Sequence, residues 1–229
     1  MSIVRKLFDF LVTGHVVLVS PALSVEGPRY SVLEGLTPAF EREQVRSLLR
    51  SLDTASVVGL RDRAILAIFT YTACRAGAVA KLRVKDFRPE GTQWILLLHE
   101  KRSKARKIPV RADLQGYLEA YIQAAGINPE DKDAPLFRST VRKTKLLTDR
   151  AMTPGDILRM LKRRLKDSGL PLNFTCHSFR TTTITDLIEQ GVPLEDVQYL
   201  AGHAAPSTTR LYSRKRQAVT RNIVERISI

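Results

Sequence analysis

The sequence contains little that would support a disulfide scaffold, a metal centre or a membrane span. Its two cysteines, Cys74 and Cys176, lie far apart, and the four histidines do not fall at zinc-ligand spacings with them. No uninterrupted apolar run reaches the roughly 18 residues of a membrane-spanning helix. The mildly apolar N-terminus is not followed by a clean signal-peptide cleavage pattern. We therefore expect a soluble cytoplasmic protein with reduced thiols, no metal and no membrane segment.

Acidic residues are scarce relative to basic ones. The 37 Lys and Arg residues exceed the 23 Asp and Glu residues and give a formal net charge of +14. Such an excess favours a polyanionic partner, either nucleic acid or an anionic membrane surface, although a solvated basic surface would also account for it. The sequence has no phosphate-binding loop and no GxGxxG motif, so it gives no indication of a nucleotide cofactor.

The first 36 residues differ in pattern from the rest of the chain. A short apolar helix containing Leu7 and Phe10 gives way to a stretch punctuated by Pro21, Gly27 and Pro28. That arrangement is typical of a helix followed by a linker. We therefore expect residues 1–36 to be the end of another structural unit and residues 37–229 to form one large domain.

Residues 37–229 show mostly helical periodicity, with one interruption by strand-like segments. Gln93 to His99 and Lys107 to Val110 read as two strands joined by a basic turn, which predicts a small antiparallel sheet. The fold class expected is mostly α with a small antiparallel β-sheet (α+β), and not a repeated βαβ unit. The first predicted helix begins at Thr37-Pro38 and ends near Leu52. The other predicted helices cover about 58–73, 76–82, 114–122, 153–169, 177–190 and 193–202.

The C-terminal third carries several groups that could act on a phosphodiester. His177 and Arg180 are three residues apart, so on a helix they project from the same face. Gly202-His203 follows, and Tyr212 lies nine residues after His203. Taken singly, the histidine is more easily read as a capping residue, the arginine as a solvated cation and the tyrosine as a packing residue. Metal-free transesterification, however, needs arginines for the transition-state charge, a protein nucleophile and an acid for the leaving oxygen.

From about Thr37 to Arg214 the sequence resembles the tyrosine recombinases of the phage-integrase and Xer type. Leu60 to Arg75 is similar to the helix that leads to the first catalytic arginine of that family. The family's lysine-bearing β-turn motif is matched by Lys101, with Arg106 and Pro109 in register. The remaining matches are the His-x-x-Arg pair, the glycine-histidine pair and the nucleophile position, at His177, Arg180, Gly202, His203, Thr208, Thr209 and Tyr212.

The resemblance implies a catalytic domain of the tyrosine recombinase fold at 37–229, with 1–36 as a remnant of the N-terminal core-binding domain and its linker. It also implies site-specific recombination of double-stranded DNA by a homo-tetramer, as in integration by mobile elements, without metal or ATP. Tyr212 would form a 3′-phosphotyrosyl link, and Lys101 would be the acid, with Lys104 as a weaker competitor. The other implied catalytic residues are Arg75, His177, Arg180 and His203, and the residues expected to bind DNA are Lys104, Arg106 and Arg210.

The sequence departs from the family pattern at several positions. Gly77 and Ala78 stand where a small residue and then an acidic one are common, so the carboxylate that usually supports the site is missing or comes from elsewhere. Thr181 replaces a frequent histidine, and Glu100 and Arg102 replace the glycines that flank the lysine.

Three alternatives to an active recombinase remain open. The chain could be an inactive, truncated relic that only binds DNA. It could be a type IB topoisomerase, which shares the chemistry, or a basic protein that binds RNA or a membrane surface. The apolar tail that ends in Ile227 and Ile229 could dock on a neighbouring subunit or on its own core.

Overall fold

The computed structural model describes residues 2–26, 37–100, 105–141, 144–202 and 208–209. The chain divides into two compact units, Met1–Leu33 and Glu34–Ile229. The first unit contains helix α1, Ser2–Thr13, which confirms the short apolar helix expected there. In this unit the Arg5 guanidinium donates to the Val25 carbonyl at 2.7 Å. That residues 1–36 derive from a core-binding domain stays a prediction.

The second unit is mostly helical with small antiparallel β-structure, which confirms the predicted fold class, but the described residues form two sheets where the sequence predicted one. A single 3₁₀ turn, Val84–Asp86, precedes the first strand. The helices are α2 Arg42–Arg50, α3 Val57–Thr72, α4 Ala76–Ala80, α5 Ala112–Ala124, α6 Pro154–Asp167, α7 Cys176–Glu189 and α8 Leu194–Ala201, and the strands are β1 Phe87–Glu90, β2 Gln93–His99, β3 Ala105–Pro109, β4 Arg138–Thr140 and β5 Leu147–Ala151. None of the helices in the described ranges is long and apolar enough to cross a membrane.

Helix α3 lies at the centre of this unit, as its apolar sequence predicted. Every side chain from Ala64 to Phe69 is fully buried, and the helix packs against α5 and α7. Ser56 caps its N-terminus by accepting a hydrogen bond from Gly59 N at 3.2 Å. The helix ends at Thr72, and its C-cap residue, Ala73, has a positive φ of 49°. That conformation is unfavourable for a residue with a Cβ, so surrounding contacts must hold it.

The three-stranded sheet has the order β1-β2-β3 and buries one face. Leu96 lies opposite Phe87 on one side and Ile108 on the other, and all three are buried. The sequence predicted β2 and most of β3 but not β1. It also did not predict the β4–β5 pair. These three strands are short and polar, so they lack the apolar alternation that identifies a strand.

The predicted start of α2 was wrong. The helix begins at Arg42 with Glu41 as N-cap, and not at Thr37-Pro38. Phe40 explains the difference, because its ring stacks on Phe174 with centroids 3.9 Å apart and its backbone N–H donates to Thr182 Oγ1 at 2.7 Å. Burial of this ring holds the preceding residues in an irregular conformation, and tertiary contact overrides the local proline signal.

The last three helices begin and end close to the predicted positions, although the Thr175 cap was not predicted. Thr153 and Asp156 form a capping box at the start of α6, and Thr175 caps α7. Gly169, Gly191 and Gly202 follow the ends of α6, α7 and α8 with φ of 67°, 79° and 63°. Glycine is favoured at such left-handed positions, which explains why the sequence marks these helix ends correctly.

Candidate active site

Arg75 stands in the turn between α3 and α4. It is the N-cap residue of α4 in an extended conformation, directly after Ala73 and Cys74. Its side chain keeps 41% of its surface exposed, and Nη1 donates to Glu100 Oε2 at 2.7 Å. The guanidinium is therefore held by Glu100 while a large part of the side chain stays exposed to solvent.

Arg180 approaches the same turn from α7. It is fully buried, which is unusual for an arginine, and its Nη1 donates to the carbonyl of Ala73 at 2.6 Å. This bond helps to hold the left-handed Ala73 and so fixes the turn that carries Arg75. The two arginines that the resemblance implies as catalytic are thus both attached to this turn.

His177 lies one helical turn before Arg180, at the start of α7. Partial burial, followed by the positive charges of Arg180 and Arg75, lowers the pKa of His177 below its ordinary value. Because both arginines act on the imidazole, His177 belongs to the same region. A lowered pKa keeps the imidazole neutral at neutral pH, the form that accepts a proton.

Glu100 was not predicted to belong to the site. It follows β2 and is buried, with Oε2 bound to Arg75 and Oε1 accepting from Arg106 Nη2 at 2.8 Å. Burial acts to raise its pKa, but the hydrogen bonds from Arg106 and Arg75 outweigh burial and place the pKa below its usual range. Glu100 is therefore ionised at neutral pH. The signal that could have found it is the glutamate in place of a family glycine.

Arg106 was predicted to bind DNA, but the structure places it inside the protein. Its guanidinium is buried and also donates from Nη1 to the carbonyl of Leu200, in the last turn of α8. Gly202 packs directly on it, because a Cβ at Gly202 would lie 2.7 Å from Arg106 Nε. The glycine of the Gly202-His203 pair is thus required both by its positive φ and by this close approach.

The other predicted site residues lie outside the described residues. These are Lys101, Lys104, His203, Arg210 and Tyr212. The apolar tail at 221–229 also lies outside them. Of the motif that precedes the nucleophile position, Thr208 is exposed and Thr209 is buried.

The two cysteines are buried and free. Burial raises the pKa of Cys74 to about 12 and that of Cys176 to about 11. Both thiols therefore stay protonated at neutral pH, and neither is a candidate nucleophile.

The chain is similar to known proteins along nearly its whole length. The profile of the Phage integrase family matches residues 38–218. Tyrosine recombinase XerD of Listeria innocua serovar 6a is 29% identical over 217 residues, which cover 91% of this chain and 68% of the relative. Tyrosine recombinase XerC of Chlamydia caviae is 24% identical over 213 residues, covering 93% of this chain and 65% of the relative.

Several solved structures with the same fold are DNA complexes of recombinases. XerH site-specific recombinase bound to palindromic difH substrate, in a post-cleavage complex, has a TM-score of 0.68 and 23% identity, and covers 85% of this chain. A lambda integrase (75–356) dimer bound to a COC′ core site has a TM-score of 0.65 and 15% identity, and the match covers 95% of this chain and 72% of that one. The present chain spans about half of XerH, at 54% of its length.

Proposed function

The chain belongs to the phage integrase family of tyrosine recombinases, and from this premise we propose that it recombines DNA at specific sites by cleaving and rejoining strands. The observation that carries the proposal is the meeting of Arg75, His177 and Arg180 at the turn after α3. Two arginines and a neutral imidazole suit a phosphoryl transfer that uses no metal.

We assign the nucleophile to Tyr212 and the general acid to Lys101. The phenolic oxygen of Tyr212 attacks the scissile phosphorus while the bond from phosphorus to the 5′ oxygen breaks. Lys101 gives a proton to the departing 5′ oxygen, which leaves as a hydroxyl, and the 3′ phosphate stays bonded to Tyr212. A 5′ hydroxyl of a second strand reverses these steps, so the bond energy is kept in the covalent intermediate and no ATP is needed.

The arginines stabilise the charge that builds on the non-bridging oxygens. Arg75 presents its free end to solvent, where a phosphate can approach, and Arg180 supports it from α7. His203 adds a hydrogen bond to the same phosphate. His177, kept neutral by its surroundings, accepts or orients the proton of the nucleophile.

The partner in this proposal is double-stranded DNA, bound by a homo-tetramer with residues 37–229 as the catalytic domain. The net charge of +14 supports a polyanionic partner, and so do the solved structures of the same fold that are DNA complexes. Lys104 and Arg210 are assigned to phosphate contacts, and the reaction takes place in the cytoplasm.

A covalent trap tests the proposal without knowledge of the DNA site. A library of nicked duplexes with randomised sequence is incubated with the chain, and DNA that stays attached after denaturation is sequenced. The nick lets the short cleaved fragment diffuse away, so the adduct accumulates. We expect an adduct with the wild type, none with Tyr212→Phe, and an unchanged yield with Tyr199→Phe, a matched control at an exposed tyrosine on α8.

Two results would contradict the proposal. Absence of any adduct across the library would favour a relic that only binds DNA. Relaxation of supercoiled plasmid without sequence preference, combined with adducts of random sequence, would favour a topoisomerase.

A further inference from the structure

We propose that Glu100 is the positioning residue for Arg75, and that Glu100 and Arg106 together brace the site against the end of α8. This inference rests on the proposed function, because the value of a fixed Arg75 lies in the phosphate that it meets. The brace consists of Arg75, Glu100, Arg106 and the Leu200 carbonyl, and it joins the turn after α3 to β3 and α8.

The two oxygens of Glu100 are each bound by a different arginine. Oε2 accepts from Arg75 Nη1 at 2.7 Å, and Oε1 accepts from Arg106 Nη2 at 2.8 Å. Such charge-assisted bonds are shorter and stronger than neutral ones. Glu100 is only 9% exposed, so water competes little for either oxygen. The carboxylate is therefore fixed in both position and orientation.

Arg75 needs an external partner because its own helix offers none. Helix α4 is Ala-Gly-Ala-Val-Ala, and the position three residues after Arg75 is Ala78, which is 2% exposed. A partly exposed arginine with no partner would populate many rotamers, and its guanidinium would not be held in one position. Glu100 supplies the missing carboxylate from the end of β2. It engages Nη1 and leaves the other donors of the guanidinium for a phosphate.

Arg106 completes the brace on the side of α8. Its Nη1 bond to the Leu200 carbonyl ties the carboxylate to the last turn of that helix, directly before Gly202. Gly202 allows this approach because it has no Cβ. We therefore assign Arg106 to the interior of the site and not to the DNA surface. Glu100 also directly precedes Lys101, the proposed acid, in the sequence.

The test compares a charged and an uncharged scissile phosphate. Adduct formation is measured in single turnover with saturating nicked duplex, using the trapped sequence, for the wild type, Glu100→Gln, Glu100→Asp and Arg75→Ala. A second duplex carries a methylphosphonate at the scissile position, which lacks one non-bridging charge and so depends less on Arg75. Glu90→Gln is the matched control, because it removes a carboxylate that pairs with Lys107 at 2.7 Å on the exposed side of the same sheet.

We expect Glu100→Gln to slow adduct formation on the phosphodiester about 10- to 100-fold, less than the roughly 100- to 1,000-fold typical when an oxyanion donor is removed outright. Glu100→Asp keeps the charge and should recover part of the rate, and Glu90→Gln should match the wild type. On the methylphosphonate, the ratio of wild-type to Glu100→Gln rates should fall towards one. A purely structural role would leave that ratio unchanged.

Several outcomes would overturn the positioning role. Equal rates for wild type and Glu100→Gln would refute it and leave the proposed function intact, as would a ratio that does not fall on the methylphosphonate. If Glu100→Gln does not fold, the positioning role is tested with Glu100→Asp. A Glu100→Asp rate equal to that of the wild type on the phosphodiester would refute the requirement for a fixed carboxylate. Failure of the wild type itself to form an adduct would refute both proposals.

Discussion

Two buried carboxylates in the described part of the chain, Asp62 and Glu100, each hold more than one arginine, but they do so in different surroundings. Asp62, on α3, is fully buried and accepts from Arg61 and from Arg164 of α6, with the closest contacts at 2.7 Å. Glu100 accepts from Arg75 and Arg106 at similar distances. In the Asp62 cluster the two hydrogen-bonded arginines are enclosed, at 2% and 17% side-chain exposure, and the more exposed Arg163 adds only a longer ion pair at 3.5 Å. In the Glu100 cluster, by contrast, Arg75 is hydrogen-bonded and yet 41% exposed.

This difference separates a structural use of the ion pair from a functional one. Around Asp62, the guanidinium of Arg61 also donates to the Arg138 carbonyl at 2.8 Å, so the cluster joins α3, α6 and β4. Around Glu100, one arginine is turned inward to α8 and the other is left with a solvent-facing end. The same chemistry therefore fixes the fold in one place and presents a cation in the other.

Removal of Asp62 should destabilise the fold most. Asp62→Ala leaves Arg61 and Arg164 without their buried counter-charge, and breaking a buried pair in this way costs about 3–5 kcal/mol. Denaturant unfolding measures the loss. Glu43→Ala is the control, since Glu43 pairs with Arg46 and Arg50 only at the exposed surface of α2, and its loss should cost less than about 1 kcal/mol. If the two variants lost the same free energy of unfolding, the buried Asp62 cluster would be no more stabilising than an exposed ion pair, and the prediction would be contradicted.

Gly202→Ala should have the next largest effect. A Cβ there meets Arg106 Nε at 2.7 Å and adopts a φ of 63°. Left-handed strain of about 1–2 kcal/mol adds to an overpacking cost of about 1–3 kcal/mol. Gly191→Ala is the matched control, because its φ is 79° but nothing lies within 4 Å of the added Cβ, so only the strain remains. Thermal unfolding of the two variants should differ, and identical losses would contradict the close packing of Arg106.

Arg75→Ala should cost little stability but much activity. Glu100 keeps its bond to Arg106, and Arg75 is partly exposed, so the free energy of unfolding should fall by about 1 kcal/mol or less. The rate of adduct formation should fall about 100- to 1,000-fold. Chemical denaturation and the covalent trap, applied to the same preparation, provide the two values. A large loss of stability would mean that Arg75 has a structural role, like the arginines around Asp62.

The smallest expected effect is a shift in the titration of His177. Burial and the charges of Arg180 and Arg75 lower its pKa, so the folded protein favours the neutral imidazole. Stability from this group is present above the ordinary pKa of about 6.5 and is lost as the pH falls through the lower folded value. Arg75→Ala removes one cation and should raise the pKa of His177 towards its ordinary value, as measured by NMR titration of the imidazole. A pKa that stays fixed would mean that Arg75 does not act on His177.

The parts of the fold that could be predicted are those whose signals are local. Each of these signals lies within or next to the helix that it predicts. They are the apolar run of α3, the Thr153-Pro154 start of α6 and the glycines after α7 and α8. The start of α2 could not be predicted, because Phe40 is held by rings that are distant in sequence. The strands β1, β4 and β5 were missed because partner strands, and not their own composition, define them.

The candidate site shows the same division between local and distant signals. The motif pattern placed Arg75, His177 and Arg180 together, and the structure brings these three to one turn. The motif pattern did not reveal Glu100, because the role of Glu100 depends on its contact with Arg75, 25 residues away in sequence. For the same reason Arg106 was assigned to the DNA surface, since its burial against Glu100 and Leu200 is a tertiary property.

The most direct test of the difference between the two clusters is the rate of covalent adduct formation in Asp62→Asn and Glu100→Gln. Both substitutions replace a carboxylate with an isosteric amide in a cluster of arginines. Each rate is measured on the same nicked duplex, at a temperature where both variants are folded, and is expressed per folded molecule. We predict that Asp62→Asn reacts at close to the wild-type rate and that Glu100→Gln reacts about 10- to 100-fold more slowly. Equal rates in the two variants would contradict the account.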